Sequence, residues 1–386
     1  MYCVHILRPR AVYLHVPFCH RRCGYCDFTL VANRADLIES YLRGVELELE
    51  QWRKSRNENF PLEVDSIFFG GGTPSYLPAD EFTRLCQLLR RCFVPGPQCE
   101  WSLEANPEDL EETRISAWVQ AGVNRVSLGV QSFHPQHLQT LERVHSAADV
   151  AAVVDKLRPH IDNISFDLIF GVPGQSLQDW QETVNQAIAL KPRHLSAYGL
   201  TFEKGTAFWK RRRTGILQPV GDELERAMYA WTMDELPRRG YSQYEISNYA
   251  QSGFACAHNE TYWRGAGYFA FGPGAASFEN GVRRLNHRSV ASWLKRVHAG
   301  QSPIVEEEQL DPRASAGEAV MLSLRRNVGV NLPEFQDDYG FHPRELAGEE
   351  YSRMLDCGWI EETSDCLRLT REGRFVADTV VTAFLS

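Results

Sequence analysis

The chain has 386 residues, of which 43% are hydrophobic and 24% charged, and its formal net charge is −9. The length suits two domains, or one large barrel with an appendage. The acidic balance argues against a general nucleic-acid-binding protein, which would present a basic field. No apolar run approaches the roughly 18 residues that would span a membrane. Residues 1–7 are too short for a signal peptide, so we expect a cytoplasmic protein.

Three cysteines, Cys19, Cys23 and Cys26, follow an apolar run at 12–16 that predicts the first strand of a sheet. Thiolates are ligands that suit iron–sulfur clusters. Three of them would hold three irons of a [4Fe-4S] cluster and would leave the fourth iron without a protein ligand. The triplet therefore predicts a metal centre with one iron open for chemistry.

Two other interpretations of the triplet are weaker. A structural zinc site has four ligands, usually in two pairs, and no compact second pair follows this triplet. His20 as the fourth ligand would strain the loop, because it lies between two of the cysteines. A disulfide is disfavoured because thiols stay reduced in the cytosol. The spacing thus favours a cluster, with zinc as the main alternative.

Short apolar runs alternate with longer helical patterns through the first half of the chain. The predicted strands are 12–16, 65–69, 100–104, 125–130, 163–170 and 194–200. The predicted helices lie near 35–54, 79–93, 108–121, 135–158 and 176–190. This alternation predicts an α/β fold, an incomplete (β/α)6 TIM-type barrel with parallel strands. In such barrels the chemistry gathers at the carboxyl ends of the strands.

Polar and glycine-rich motifs follow that rule, because each lies at or near the end of a predicted strand. They are Gly71, Gly72 and Thr73 after the second strand, Glu104 at the end of the third, Gln131 after the fourth and Asp167 in the fifth. Glycine allows a backbone to approach a ligand closely. A carboxylate in an apolar strand, such as Asp167, must be paired or near solvent. We expect these groups to form one site, although Glu104, Gln131 and Arg143 would each also fit a structural role.

The alternation fades after residue 200. We predict a partial barrel with a C-terminal extension over 1–300, a linker at 301–313, and a small, mainly helical, winged-helix-like domain over 314–386. A basic run, Lys210–Arg213, stands out against the acidic balance of the chain. Such runs are usually solvated faces, and this one would also attract propionates or an acidic partner.

The cysteine triplet, with Tyr25 before its last cysteine, resembles the C-x3-C-x2-C signature of the radical S-adenosylmethionine (SAM) superfamily. The resemblance implies a [4Fe-4S] cluster on the three cysteines, with SAM bound to the open iron through its amino and carboxylate groups. It also implies that an electron from the cluster cleaves SAM to methionine and a 5′-deoxyadenosyl radical. An electron donor such as a flavodoxin or ferredoxin is then needed.

The wider set of motifs resembles one family of that superfamily, the oxygen-independent coproporphyrinogen III oxidases. The match includes Gly-Gly-Gly-Thr-Pro-Ser, Glu-Ala-Asn-Pro, the segment 124–133 and Asp-Leu-Ile-Phe-Gly-Val-Pro. The resemblance implies that Tyr25 belongs to the cofactor site and that SAM is lined by eight further residues. These are Tyr13, Gly71, Gly72, Thr73, Glu104, Gln131, Arg143 and Asp167.

Two features separate the branches of this family. The decarboxylating oxidases extend the signature to C-x3-C-x2-C-x-C and have a longer N-terminal segment, whereas this chain has Phe28 in place of the further cysteine. The HemW-type haem chaperones carry H-N-x-x-Y-W, which runs here from His258 to Trp263. That branch implies haem binding and transfer to acceptor haemoproteins. Oxidative decarboxylation of coproporphyrinogen III is the alternative function.

His258 is the candidate haem ligand, because neutral imidazole commonly ligates haem iron. The flat rings of Tyr262 and Trp263 would contact a macrocycle. These six residues alone favour a polar–aromatic packing cluster with a hydrogen-bonded His258, and it is the resemblance that makes haem the better interpretation. Cys256 is a further candidate ligand or attachment point.

Overall fold

The computed structural model describes residues 8–385. The segment 1–7, for which no signal peptide is expected, lies outside the described residues. Numbered along the chain, the strands are β1 (Ala11–Val16), β2 (Phe18–Cys19), β3 (Val31–Ala32), β4 (Leu62–Gly71), β5 (Phe93–Ala105), β6 (Arg125–Gln131), β7 (Asn163–Phe170), β8 (His194–Gly199), β9 (Ser242–Gln243), β10 (Asn248–Ala250), β11 (Tyr268–Phe271), β12 (Ala276–Glu279), β13 (Val282–Asn286), β14 (Ile304–Gln309), β15 (Val330–Asn331), β16 (Ile360–Glu362) and β17 (Cys366–Leu369).

The α-helices are numbered in the same way. They are α1 (Ile38–Lys54), α2 (Ala79–Arg90), α3 (Glu112–Ala121), α4 (Pro135–Thr140), α5 (Ala147–Leu157), α6 (Leu177–Ala189), α7 (Ala207–Arg213), α8 (Asp222–Arg238), α9 (Ala257–Trp263), α10 (Val290–His298), α11 (Pro312–Leu324), α12 (Leu332–Tyr339), α13 (Pro343–Ala347), α14 (Glu349–Asp356), α15 (Arg371–Phe375) and α16 (Ala377–Thr382).

The main sheet has twelve strands in the order β14-β13-β12-β11-β1-β4-β5-β6-β7-β8-β10-β9. At its centre, the six strands from β1 to β8 in this order lie parallel to their neighbours. They correspond to the six predicted strands, with helices between them. The incomplete barrel of six strand–helix units is therefore confirmed.

Two parts of the fold differ from the prediction. The segment 135–158 forms two helices, α4 and α5, because Glu142 between them has a φ of 58° and cannot continue a right-handed helix. The second half of the chain extends the sheet, since β11 lies parallel to β1 and β12, β13 and β14 follow it antiparallel. Residues 304–309, within the segment expected to be a linker, thus form the edge strand of this sheet.

Side chains alternate along the strands, so the face of the sheet under the helices is apolar and the face that lines the barrel interior is polar. On β1, for example, Val12, Leu14 and Val16 are fully buried in the core beneath the helices. Residues of the other parity face inward, where they form a polar interior that we call the lumen. It includes Tyr13, His15, Ser66, Glu100, Glu104, Arg125, Ser127, Asp167, His194 and Ser196.

The C-terminal part has a second apolar core, which runs from Ala316 to Phe384. Helices α11 to α16 pack around a small antiparallel sheet of order β15-β17-β16. Helix α11 also contacts α9 of the barrel. Within residues 8–385, no helix has both the length and the apolar character needed to cross a membrane.

A candidate metal centre at the carboxyl rim of the barrel

The cysteine loop begins where β1 ends and is tied together by its own backbone. Cys19 lies in β2, which pairs with β3 at the end of the loop. The Cys26 amide donates to the Cys23 carbonyl at 3.1 Å and closes a turn. The Arg22 guanidinium donates to the carbonyls of Cys26, Phe28 and Leu30 at 3.0 to 3.3 Å. The loop therefore has a defined shape that the cysteine spacing alone did not predict.

All three cysteines of the loop are free thiols. The Cys19 Sγ lies 3.1 Å from the Thr73 hydroxyl, and an Arg143 Nη donates to the Cys23 Sγ at 3.9 Å. Burial raises the pKa of the Cys19 thiol to about 12 and also raises that of Cys26. Because metal ligation needs thiolates, uptake of iron by this loop would release protons.

The cysteine loop supplies three candidate metal ligands, all of them thiols. Among the described residues, no three His, Cys, Asp or Glu side chains converge closely enough to share a single metal ion. Zinc needs four ligands around one ion, whereas each cysteine of a cubane cluster binds a different iron. His20 has its ring against Tyr76, with 4.6 Å between ring centres. Three free thiols on one loop are a donor set that would suit a [4Fe-4S] cluster.

The glycine turn at the end of β4 leaves no space for side chains. Gly71 has a φ of 106°, and a Cβ at this position would clash with the His15 ring. A Cβ on Gly72 would lie 2.7 Å from the Phe18 carbonyl oxygen, beside the cysteine loop. The Gly71 amide donates to Glu104 Oε2 at 3.1 Å. Glycine is therefore required where this backbone packs against both β1 and β5.

Glu104 and Asp167 form a partly buried acidic pair in the lumen, towards the rim. Burial raises the pKa of Glu104 to about 8, and the charge of Asp167 adds to this shift. Burial also raises the pKa of Asp167, whose carboxylate accepts from the Ser127 hydroxyl at 3.1 Å. A cation placed beside Glu104 would favour its ionised form. This pair is therefore suited to receive a ligand with an ammonium group.

Arg143 connects three elements around the cysteine loop. Besides its contact with Cys23, its guanidinium donates to Asn106 Oδ1 at 2.6 Å and to the Gly129 carbonyl at 3.0 Å. Asn106 in turn donates to the Thr73 hydroxyl at 3.1 Å. These contacts place Arg143 in the site. Asn106 was missed as a site residue, although its Glu-Ala-Asn-Pro motif was the available signal.

Tyr25 and Gln131 are two further predicted site residues near Arg143. The Tyr25 ring packs edge-on against Phe208, with 5.9 Å between ring centres, and its pKa is raised by burial. Gln131 has a φ of 62° at the end of β6, next to an irregularity in the pairing of that strand. The change in backbone direction ends the strand at the rim.

Tyr13 and His15 link the lumen to the cysteine loop. The Thr29 carbonyl accepts from His15 Nε2 at 2.7 Å, so the neutral ring accepts the Tyr13 hydroxyl at Nδ1, at 3.1 Å. Burial lowers the pKa of His15 to about 4, which keeps the ring neutral. Sequence reasoning missed His15, whose only signal was its inward parity on β1.

His258 lies away from the rim, in a short segment that closes the opposite end of the lumen. We call residues 256–263 the plug. His258 is 1% exposed, with Nδ1 at 3.0 Å from the Ser66 hydroxyl and Nε2 at 2.8 Å from the Tyr262 hydroxyl. Ser66 precedes Gly71 by five residues, or about 16 Å along the strand at roughly 3.3 Å per residue.

The plug is further fixed to the strands around it. The Cys256 thiol donates to Glu100 Oε1 at 3.5 Å, and the Ala257 amide donates to the same oxygen at 3.1 Å. Burial, with the charge of Arg125 nearby, lowers the pKa of His258 to about 3. The His258 ring also stacks on Tyr13, 6.2 Å away between ring centres. The structure thus separates His258 from the cysteines and connects the two through Tyr13.

Comparisons with known proteins agree with this arrangement. Residues 13–187 match the radical SAM superfamily, and residues 310–376 match the HemN C-terminal domain. The chain is 32% identical to heme chaperone HemW of Bacillus subtilis, over 97% of this chain and 99% of that protein. It is 35% identical to heme chaperone HemW of Mycobacterium tuberculosis, over 98% of this chain and 95% of that protein.

A mitochondrial relative and a solved structure extend the comparison. Radical S-adenosyl methionine domain-containing protein 1, mitochondrial, of Danio rerio is 31% identical over 97% of this chain and 86% of its own. The fold is similar to that of coproporphyrinogen III oxidase (HemN) from Escherichia coli, with a TM-score of 0.85 over 99% of this chain and 91% of that one. At 20% identity, this second likeness shows the fold alone.

Proposed function

Because the chain belongs to the radical SAM superfamily and, within it, to the HemW-type branch, we propose that it binds haem and transfers it to acceptor haemoproteins. The observation that carries the proposal is the full-length similarity to HemW proteins, combined with Phe28 where the oxidases have a further cysteine. Phe28 is 59% exposed on the cysteine loop. We place this function in the cytoplasm.

We assign the rim to a [4Fe-4S] cluster and to SAM. Bound there, the cluster would supply the electron that cleaves SAM. Cys19, Cys23 and Cys26 would hold it, and the Arg143 guanidinium beside Cys23 would stabilise thiolate charge. Glu104 would accept the ammonium group of SAM, next to the backbone of the glycine turn.

We retain His258 as the candidate haem ligand on the strength of its motif. Its Nε2 is engaged by the Tyr262 hydroxyl and the ring is buried, so iron ligation requires that this hydrogen bond break and that the plug open. Haem binding at His258 would then be coupled to a local rearrangement of α9.

The test is a haem titration followed by a transfer assay. Reconstituted protein is titrated with haem, followed by the visible absorption of the bound haem, and then mixed with apomyoglobin as the acceptor probe. We expect saturable binding, transfer to apomyoglobin, and weaker binding in His258→Ala. The matched control His160→Ala, which removes an exposed histidine, should bind like the wild type.

The same preparation tests the alternative function. It is incubated with coproporphyrinogen III, SAM and a reductant, and the porphyrins are analysed by mass. Formation of a vinyl-bearing product, or the absence of saturable haem binding, would contradict the chaperone proposal.

A further inference from the structure

Helix α7 lies directly against the cysteine loop. The Phe208 amide donates to the Gly24 carbonyl at 2.8 Å, and the Phe208 ring packs on both Gly24 and Tyr25. Gly24 lies between Cys23 and Cys26, so α7 and the loop form one continuous surface. A protein that binds α7 would be beside the metal centre.

This surface is strongly basic in an otherwise acidic chain. Between Phe202 and Arg213 there are five basic residues and one acidic residue, Glu203, whereas the whole chain has a net charge of −9. Lys204, Lys210, Arg212 and Arg213 are exposed. Arg211 is different, because Glu142 neutralises it at 2.7 Å.

Aromatic rings hold two of these cations in place. The Arg212 guanidinium lies over the Phe202 ring at 5.2 Å, and the Arg213 guanidinium lies over the Trp209 ring at 4.9 Å. Such contacts fix a cation without neutralising its charge. A loosely solvated run of basic residues would not need them.

The cysteine loop adds a further cation to this surface. Arg21 is exposed and lines the same cavity as Glu142, the partner of Arg211. The one exposed carboxylate of the loop is Asp27. We define the basic face as Arg21, Lys204, Lys210, Arg212 and Arg213.

We propose that the basic face docks an acidic one-electron carrier protein, which reduces the cluster. The proposal rests on the assignment of a [4Fe-4S] cluster to the rim. One electron passes from the carrier to the cluster, so the carrier is oxidised by one electron and no bond forms or breaks. Complementary charge accelerates such encounters, and redox partners use small interfaces below about 1,200 Å². The location beside Gly24 gives the carrier a short path to the cluster.

The experiment uses reconstituted protein and a flavodoxin of net negative charge, reduced to its hydroquinone. Its dissociation constant and its second-order rate of cluster reduction are measured at increasing salt. In the wild type we expect both affinity and rate to fall with salt, because screening weakens charge attraction. The triple variant Lys210→Glu, Arg212→Glu, Arg213→Glu should lower the low-salt rate about tenfold or more. The triple glutamine variant should give an intermediate loss.

The matched control makes the same charge change far from the rim, as Lys54→Glu, Arg238→Glu and Arg353→Glu. Lys54 and Arg238 end α1 and α8, at the opposite end of the barrel from the cysteine loop, and Arg353 lies in the C-terminal part. This variant should react like the wild type. Equal rates and salt slopes in the basic-face and control variants would overturn the proposal.

Two further measurements separate this proposal from its premises. Photoreduction through deazariboflavin, a neutral mediator, should reduce the cluster equally in all variants. Absence of a cluster in the wild type would refute the premise and would be seen before any flavodoxin is added. A basic-face variant that lost haem affinity but kept the wild-type reduction rate would overturn the docking proposal in favour of propionate binding.

Discussion

The two ends of the barrel lumen differ in what their polar groups contact. At the rim, three free thiols share one loop, and the glycine turn beside them leaves room for backbone only. At the plug, both ring nitrogens of His258 have partners and the ring is 1% exposed. The rim therefore has the chemistry of a site that receives a ligand, whereas the plug has that of a closed structural element.

The difference shows that a sequence motif does not by itself reveal whether its side chains are free to bind a ligand. The same chain carries a cysteine motif whose three thiols lie on one loop and a histidine motif whose two ring nitrogens are both occupied by hydrogen bonds. Because buried polar groups are normally paired, the pairing of His258 is expected of any stable structure. Its use as a ligand would require a change at the plug that the rim does not need.

The largest expected effect is at the rim. Cys19→Ser removes one of the three thiolates, so we expect the protein to lose its [4Fe-4S] cluster. The measurement is the iron and sulfide content per chain after anaerobic reconstitution. Cys357→Ser, at an exposed cysteine in α14's C-cap, is the matched control and should keep the cluster. Equal cluster content in the two variants would remove the cysteine loop from the site.

Gly71→Ala should be the next most severe change. The added methyl would clash with the His15 ring at a φ of 106°, so we expect a loss of more than about 1 kcal/mol in the free energy of unfolding and much weaker SAM binding. Unfolding by denaturant and equilibrium dialysis of SAM measure the two effects.

Gly205→Ala is the control for backbone strain in that experiment. Gly205 has a φ of 99°, but a Cβ there would have no atom within 4 Å. Gly205→Ala should therefore lower the free energy of unfolding without weakening SAM binding. If both alanine variants bound SAM equally well, close packing at Gly71 would have no role in the site.

At the plug, Tyr262→Phe should have a smaller effect, and it should strengthen ligand binding, whereas Gly71→Ala weakens it. It frees Nε2 of His258, so haem binding should become tighter if this nitrogen ligates iron, at a cost of about 1 kcal/mol in unfolding free energy. Tyr241→Phe removes another buried hydroxyl, bonded to the Pro192 carbonyl at 2.7 Å, and should leave haem affinity unchanged. Unchanged haem affinity in Tyr262→Phe would argue that His258 is purely structural.

The last expected effect concerns pH. The folded Glu104 carboxyl keeps its proton to about pH 8, whereas the unfolded one releases it near pH 4.5. Stability should therefore fall as pH rises between these values, by up to about 1.4 kcal/mol per pH unit for one proton. Glu104→Gln should flatten this decline, as measured by denaturant unfolding across that range.

Glu48 provides the comparison for that experiment. It is buried on α1 beside Trp293, and burial raises its pKa to about 7. Glu48→Gln should also flatten the pH dependence but should leave SAM affinity unchanged, whereas Glu104→Gln should weaken it. Equal SAM affinity in both variants would remove Glu104 from the SAM site.

The sequence predicted the barrel because its signals are local. Each of the six central strands contains a short apolar or β-branched run, and the rim motifs follow directly from where those runs end. The partnership of β1 with β11 joins segments more than 250 residues apart and leaves no local pattern. The extension of the sheet in the second half was therefore missed.

The same limit applies to the site. Cysteine spacing and the glycine run identified the rim, and the structure brings Arg143 into contact with Cys23 there. The burial of His258 depends on Ser66, 192 residues away, which the H-N-x-x-Y-W motif cannot indicate. Composition located the basic run, but only the fold placed it beside the cysteine loop.

The most direct test of the account is the electron paramagnetic resonance spectrum of the reduced, reconstituted protein with and without SAM. An iron without a cysteine ligand should bind SAM, so we predict that saturating SAM changes the spectrum of the cluster. Three-cysteine ligation with an open iron, as the rim implies, requires this change. Identical spectra in the presence and absence of SAM would contradict the assignment of the rim as the end of the barrel that receives a ligand.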